Sequence, residues 1–163
     1  MRYSSRRLPR YQFVPGEAPH PTRDPEGHSF GEQVLAPNEW WPEEWRELEA
    51  WLWAVDLFNH GYWWESHEAL EALWHAAGRT TAPARFIQSL VHLSAACLNR
   101  RRGHAAAARR QAARAVRGLR AARRSMGPVV MGLDLEALAV DVVRSFAGDD
   151  EAPVHLRLAP WEP

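Results

Sequence analysis

Apolar residues recur every three or four positions along most of the chain, which is the spacing that places them on one face of an α-helix. Glycine and proline separate five such stretches, at about residues 41–60, 62–77, 83–101, 104–124 and 135–147. The third stretch is apolar on nearly all sides, as expected of a central helix. The pattern therefore predicts an all-α fold, a compact antiparallel multi-helix bundle of about five helices.

Capping signals place two of the helix starts. Proline is favoured in the first turn of a helix, so the first helix is predicted to open at Trp41-Pro42, with Asn38 as its cap if it begins a little earlier. Asp134 is the predicted cap of the last helix, and Gly148 is its predicted stop.

The first 37 residues lack helical periodicity and carry prolines at positions 9, 15, 19, 21, 25 and 37. Proline cannot donate a backbone hydrogen bond and biases the residue before it to extended backbone, so an irregular arm is predicted. Its varied composition favours an arm that packs on the domain. The predicted organisation is an arm at 1–37, a helical bundle at 38–148 and an irregular C-terminal tail at 149–163.

Composition narrows the class of protein. A chain of 163 residues with 46% hydrophobic residues is one domain long and can bury a core. The single cysteine, Cys97, excludes an internal disulfide scaffold, and its apolar surroundings predict a buried side chain. No stretch resembles a signal peptide or approaches the roughly 20 apolar residues of a membrane span, so a cytoplasmic protein without membrane contact is predicted.

Charge is distributed unevenly on a chain of zero net charge. Residues 39–71 contain nine acids and one arginine, whereas residues 79–124 contain twelve arginines and no acid. The arginines of the fourth predicted helix fall within about half of its circumference. Because no aromatic residue accompanies them, a solvated or ion-paired face is favoured over a nucleic-acid surface. The complementary charges predict a homodimer.

The second predicted helix carries the candidate chemistry. His67 and Glu71 lie one turn apart at the border of its apolar face, so the carboxylate can reach the imidazole. We predict both as catalytic residues, with His67 as a metal ligand or acid–base group and Glu71 as a base or ligand. Glu68 and Trp74 beside them are predicted to bind the ligand.

The third predicted helix supplies a narrow polar stripe on an otherwise apolar surface: Arg85, Gln88, His92 and Asn99. Polar groups at core depth need hydrogen-bond partners, and the preceding helix offers an imidazole and a carboxylate. The sequence thus predicts a pocket between the second and third helices. We expect it to bind a small polar or metal-bound ligand, with Arg85, Gln88 and His92 as contacts, a divalent metal as the candidate cofactor and hydrolysis as one form of chemistry.

The same polar residues also fit a structural role. A buried hydrogen-bond network can set the register of packed helices without any ligand. The protein would then be a non-enzymatic interaction module of paired helices, similar to tetratricopeptide repeats. The residues leave open whether the protein is an enzyme.

The arm contains a second set of metal-competent residues. His20, Asp24 and His28 lie close together in the segment HPTRDPEGH. They are ordinary residues of proline-rich turns as well. We predict them as metal ligands if the arm crosses the cluster on the second helix.

Residues 54–119 resemble the bacterial and archaeal family called domain of unknown function 309. The resemblance lies in three elements: FN-x-G ending at Gly61, HE-x-x-E-x-x-W from His67 to Trp74, and Q-x-L-x-x-L-x-A-A from Gln88 to Ala96. A glutamine is commoner in the family where this chain has His92. The resemblance implies a compact antiparallel helical fold, and it implies no activity.

Overall fold

The computed structural model describes residues 2–32, 37–147 and 152–159. The described residues contain five helices: α1 (Glu49–Asn59), α2 (Trp63–Ala76), α3 (Ala82–Arg101), α4 (Ala105–Met126) and α5 (Leu135–Ala147). A 3-10 turn at Pro42–Glu44 precedes α1. An antiparallel hairpin of β1 (Val129–Val130) and β2 (Leu133–Asp134) separates α4 from α5. The prediction of an all-helical bundle is confirmed, with the small hairpin as an addition.

Each helix packs on the helix that follows it in sequence. Short connections between packed neighbours reverse the chain direction, so these helices run antiparallel. Gly61 and Gly103 make two of the reversals at φ values of +82° and +75°, a left-handed conformation that glycine adopts without strain. α3 is the middle helix, as predicted, because α2 and α4 both pack on it.

The helix predicted from Trp41 begins much later. Pro42 opens only the 3-10 turn, and α1 starts at Glu49 after a non-helical Leu48 with φ of −80° and ψ of 84°. That prediction was therefore wrong by about two helical turns, and Asn38 does not cap α1.

Two buried tryptophans hold the segment before α1 in its irregular path. The indole N–H of Trp40 donates to the carbonyl of Leu73 in α2 at 3.0 Å. The ring of Trp45 lies so close to Gly132 in the hairpin that an added Cβ there would come within 2.8 Å of it. These contacts bind the segment to distant elements, and such tertiary packing overrides a weak local helix signal.

The hairpin escaped prediction because strands of two residues are too short to show an alternating pattern. Met131 and Gly132 at its turn both have positive φ, 48° and 82°, as two-residue hairpin loops require. Asp134 then caps α5 as predicted, since its Oδ1 accepts the backbone N–H groups of Glu136 and Ala137 at 3.1 and 3.0 Å. The predicted stop at residue 148 lies outside the described residues.

Two aromatic side chains, Trp51 of α1 and Phe86 of α3, are completely buried in the core, and their ring centroids lie 6.0 Å apart. Cys97 on α3 is buried among apolar neighbours, and this burial raises the pKa of its thiol to about 12. The thiol is therefore protonated at neutral pH, which confirms its assignment as a small core residue.

α4 buries its alanine side and exposes its arginines: Arg109, Arg110, Arg114, Arg117, Arg120, Arg123 and Arg124. Arg120 pairs with Glu136 of α5 at 3.3 Å. The remaining arginines form a solvated basic face in line with the charge pattern. Among the described helices, none combines the length and the apolar character needed to cross a lipid bilayer.

Candidate functional site

Three metal-ligand side chains meet on α2. His67, Glu68 and Glu71 each offer one ligand atom, and these atoms lie within 4.8 Å of one another. Nδ1 of His67 is 3.4 Å from Oε1 of Glu68. All three residues are half-buried at the helix surface, so the group is open to solvent on one side. The helical spacing alone brings His67 and Glu71 together, as predicted.

This donor set suits a divalent metal of the first transition row. One imidazole nitrogen and two carboxylate oxygens bind manganese, iron or zinc, whereas an all-oxygen set would favour magnesium or calcium. Three protein ligands also leave coordination positions for water or a ligand. In the part of the chain that the structure describes, no second group of three such side chains comes together in this way.

A cavity of about 350 Å³ adjoins this group. The arm, α1 and α2 form its walls, and Glu68 lines it while also belonging to the group on α2. No residue of α3 lines it. The cavity therefore lies on a different side of α2 from the pocket that the sequence predicted between α2 and α3.

A buried carboxylate on α2, that of Glu65, attaches the arm to the helices. Oε1 of Glu65 accepts the backbone N–H of Phe13 at 2.8 Å and lies 2.9 Å from Nε2 of His28. Both side chains are nearly inaccessible, with 5% and 3% of their surfaces exposed. Burial raises the pKa of Glu65, and its hydrogen bonds with His28 and the backbone oppose that rise. The second oxygen, Oε2, is buried without a hydrogen-bond partner in the described structure.

Three arginines of the arm line the cavity, together with three carboxylates, Glu32, Glu65 and Glu68. Arg6, Arg7 and Arg10 all line it. The guanidinium of Arg6 stacks 5.1 Å from the ring centre of Trp53, and Arg10 donates to the carbonyl of Glu26 at 3.3 Å. Arg7 is exposed. A small anionic molecule with a planar or apolar part would find complementary groups in this cavity.

Residues 51–111 match the protein family described as Domain of unknown function (DUF309). They form a DUF309 domain. The domain includes α2 and α3, most of α1 and the start of α4, and it contains all three residues of the α2 group. The arm, with its histidines and arginines, lies before the matched residues. No curated protein and no solved structure matches the chain.

Within the DUF309 domain, the asparagine of the FN-x-G element has a structural role. Asn59 donates from Nδ2 to the carbonyl of Leu156 at 2.9 Å and accepts the backbone N–H of Leu156 at 2.8 Å. The side chain thus makes the pair of backbone hydrogen bonds that a neighbouring strand would otherwise make with the C-terminal tail. This pairing holds the buried Leu156 against the end of α1.

The polar stripe of α3 finds other partners than those predicted. Nδ1 of His92 donates to Oε1 of Gln111 on α4 at 2.9 Å. Asn99 donates to the carbonyl of Ala95 in its own helix at 2.8 Å. Burial lowers the pKa of His92, and the charges of Arg114, His67 and Arg117 lower it further, against the hydrogen bond to Gln111. None of the hydrogen bonds described for this stripe reaches the α2 group.

The other predicted ligand contacts, Arg85, Gln88 and Trp74, do not line the cavity. Arg85 is exposed and Gln88 is half-buried on α3. The indole of Trp74 donates to the carbonyl of Arg79 at 3.2 Å and so closes the turn between α2 and α3. Glu68 is the predicted ligand contact that lines the cavity.

The arm residues predicted as metal ligands have separate partners. His28 contacts Glu65, as described above. Oδ1 of Asp24 accepts the backbone N–H of Glu26 at 2.9 Å, and the ring of His20 packs 5.3 Å from that of Trp64. The described structure therefore does not bring His20, Asp24 and His28 together as a ligand group.

Sequence reasoning missed Glu65, Ser29 and the arginines of the arm. One signal for Glu65 was present: Ala69 and Ala72 follow it at four and seven positions, on the same helix face. Small residues beside a buried acid indicate that another segment approaches the helix closely there. The identity of that segment has no local signature, because Phe13 and His28 are distant in sequence.

Proposed function

We propose that the protein binds a divalent metal at His67, Glu68 and Glu71 together with a small anionic ligand in the adjoining cavity. One observation carries this proposal: Glu68 belongs to the metal-competent group and also lines the cavity. A ligand in the cavity can therefore reach a metal held by α2. This is a specific form of the small polar or metal-bound ligand expected from the sequence.

The charges in the cavity favour an anion. A bound cation would offset the charge of Glu68, and the three arginines of the arm would then outnumber the two other carboxylates of the lining, Glu32 and Glu65. Carboxylate and phosphate groups match both arginine and an open metal position. A volume of about 350 Å³ suits a small molecule.

Hydrolysis is the chemistry that fits this arrangement best. A divalent metal with open positions supplies Lewis acidity and activates water. The chain's own residues would hold that metal through one imidazole and two carboxylates, and its arginines would orient the anionic substrate. Glu71 and His67 act as ligands in this arrangement.

The metal is tested by elemental analysis of protein purified without chelator, followed by titration with Mn²⁺ and Zn²⁺. We expect one equivalent of a transition metal per chain. His67→Ala and Glu71→Gln should each weaken binding by more than roughly tenfold. His75→Gln, an exposed histidine on the same helix, is the matched control. Absence of stoichiometric binding in wild type would overturn the proposal.

The anionic ligand is tested by calorimetric titration of the metal-loaded protein with inorganic phosphate. Arg7→Gln should weaken phosphate binding and leave metal affinity unchanged, whereas Glu68→Gln should weaken both. Arg124→Gln, exposed on α4, is the control. Metal binding without phosphate binding would show that the anionic half of the proposal is wrong.

A different outcome would support the interaction module. If the protein binds neither metal nor phosphate, while His67→Ala and Glu71→Gln lower the free energy of unfolding by about 1 kcal/mol or more, the group acts in packing. The helices would then serve as a scaffold of paired neighbours.

A further inference from the structure

A serine, a histidine and a glutamate form a continuous hydrogen-bonded chain at the wall of the cavity. Oγ of Ser29 lies 2.9 Å from Nδ1 of His28, and Nε2 of the same ring lies 2.9 Å from Oε1 of Glu65. All three residues line the cavity of about 350 Å³. The ring of Tyr11, 4.7 Å away between centroids, packs on the imidazole and holds its plane.

The partners of His28 favour one tautomer of its ring. Oε1 of Glu65 already accepts the backbone N–H of Phe13, so it acts as an acceptor toward Nε2 as well. In the neutral form of the ring, Nε2 would therefore carry the hydrogen and Nδ1 would be an unprotonated base. In that tautomer the hydroxyl of Ser29, whose oxygen is 2.9 Å away, donates to Nδ1. This is the arrangement that activates a serine as a nucleophile.

We infer that Ser29 is a nucleophile for acyl transfer, that His28 is its general base, and that the cavity takes small carboxylic esters bearing an anionic group. Glu65 is a positioning residue, because it holds the tautomer and orientation of the imidazole. The arginines of the arm are the groups of the lining that can bind an anionic substituent of the ester. This activity goes beyond the proposed metal site and requires no metal.

The step balances with water as the sole co-reactant. Oγ of Ser29 forms a bond to the ester carbonyl carbon while its proton passes to Nδ1 of His28. The bond between that carbon and the alcohol oxygen then breaks, and the alcohol leaves with the proton. Water attacks the acyl-serine, gives a proton to Nδ1, and the carboxylic acid leaves as the hydroxyl of Ser29 regains its proton. The net reaction converts an ester and water into an acid and an alcohol.

A purely structural role explains less of this geometry. Attachment of the arm to α2 needs only the contact of His28 with Glu65, which is complete without a hydroxyl. Ser29 is half-buried and is one of the residues that line the cavity. Oε2 of Glu65 is buried without a hydrogen-bond partner in the described structure, which the contact with His28 alone leaves unexplained.

The nucleophile is tested by labelling the full chain with a fluorophosphonate probe in excess EDTA, followed by peptide mass spectrometry. We expect one adduct, on Ser29. Ser29→Ala should abolish labelling while the contact of His28 with Glu65 keeps the arm in place. Ser125→Ala, an exposed serine on α4, should label like wild type. Absence of an adduct on Ser29 in the folded wild type would overturn the inference.

The base and the substrate class are tested by hydrolysis of p-nitrophenyl acetate and of mono-p-nitrophenyl succinate under the same conditions. We expect faster hydrolysis of the anionic ester, with no hydrolysis above background in Ser29→Ala. His28→Ala should lose on the order of 100-fold in rate and regain part of it with free imidazole, which a structural role would not produce. Equal rates in Ser29→Ala and wild type would contradict the inference.

Two variants of Glu65 test the positioning residue, and a comparison with and without EDTA separates the metal site. Glu65→Gln keeps an oxygen that accepts from Nε2 and should retain measurable labelling, whereas Glu65→Leu should lose it. The wild-type protein should label equally with and without excess EDTA. Failure of the metal proposal would therefore leave this result unchanged, and failure of Ser29 labelling would leave metal binding unchanged.

Discussion

The carboxylate of Asp56 on α1 accepts the backbone N–H of Tyr3 at 2.8 Å, across 53 positions of sequence. Its other oxygen accepts the backbone N–H and the hydroxyl of Ser4 at 2.8 and 2.7 Å. Asp56 itself is completely buried. The side chain of a single acid in the helical domain thus accepts the backbone N–H groups at the start of the arm, which a neighbouring strand or a helix would otherwise satisfy.

Asp56→Asn should destabilise the protein by about 1–3 kcal/mol, because the amide turns a donor toward one of these N–H groups and leaves it unsatisfied. The free energy of unfolding from urea titration measures this effect. Hydrogen exchange of the Tyr3 and Ser4 amides should also accelerate in the variant. Glu47→Gln, exposed before α1, is the matched control. Unchanged stability and exchange would mean that the arm does not depend on Asp56.

Gly118→Ala should destabilise the contact between α3 and α4. A Cβ at this position would lie 2.1 Å from Oγ of Ser89 and 3.0 Å from its Cβ. Overpacking of this kind costs about 1–3 kcal/mol and exceeds the gain of about 1 kcal/mol that alanine brings to a helix. The serine hydroxyl cannot rotate away freely, because it donates to the carbonyl of Arg85 at 2.9 Å.

A double-mutant cycle provides the control for this prediction. In a Ser89→Ala background the nearest clash disappears, so Gly118→Ala should cost less than it does in wild type. Thermal unfolding of the four proteins gives the coupling energy. Additive effects of the two substitutions would contradict the predicted contact.

His92 should make stability depend on pH. Its pKa in the folded protein lies below the ordinary value of 6.5, chiefly because the ring is buried. Between these two pKa values the unfolded chain binds more protons than the folded one, so stability rises with pH in that window. Below pH 6.5, acidification should therefore lower the free energy of unfolding until the folded pKa is reached.

His92→Gln should flatten this part of the pH profile. Urea titrations at intervals between pH 7 and pH 5 would show a smaller slope in the variant than in wild type. His104→Gln, exposed at the start of α4, should keep the wild-type slope. An identical slope in His92→Gln and wild type would show that other groups account for the dependence.

We propose a homodimer held by complementary charges. The arginines of α4 are exposed, and Glu43, Glu44 and Glu47 form an exposed acidic segment before α1. Among the described ion pairs, only that of Arg120 with Glu136 includes an arginine of α4. Glu43, Glu44 and Glu47 take part in none of the described pairs. Light scattering at micromolar concentration should show a dimer that dissociates as salt rises.

Other results would assign these faces differently. A monomer at all salt concentrations would contradict the dimer. A dimer insensitive to salt would indicate an apolar contact, for which Trp41 is 60% exposed. Binding of nucleic acid by a monomer, with affinity that falls steeply with salt, would give the arginines an external partner.

Local patterns were sufficient for the features that depend on helical geometry. The periodicity of apolar residues predicted five helices, and a spacing of four residues predicted that His67 and Glu71 meet, because both follow from one turn of one helix. The capping of α5 by Asp134 and the burial of Cys97 were predictable for the same reason.

Tertiary structure alone decided which distant groups meet. The sequence contains Ser29, His28 and Glu65 but has no local signal that an arm of irregular backbone would bring them into one hydrogen-bonded chain. His92 is hydrogen-bonded to Gln111 of α4 although α2 also offered polar partners. α1 begins later than predicted because Trp40 is hydrogen-bonded to α2. Helical spacing is set by backbone hydrogen bonds within one segment, whereas these contacts are set by how several segments share one core.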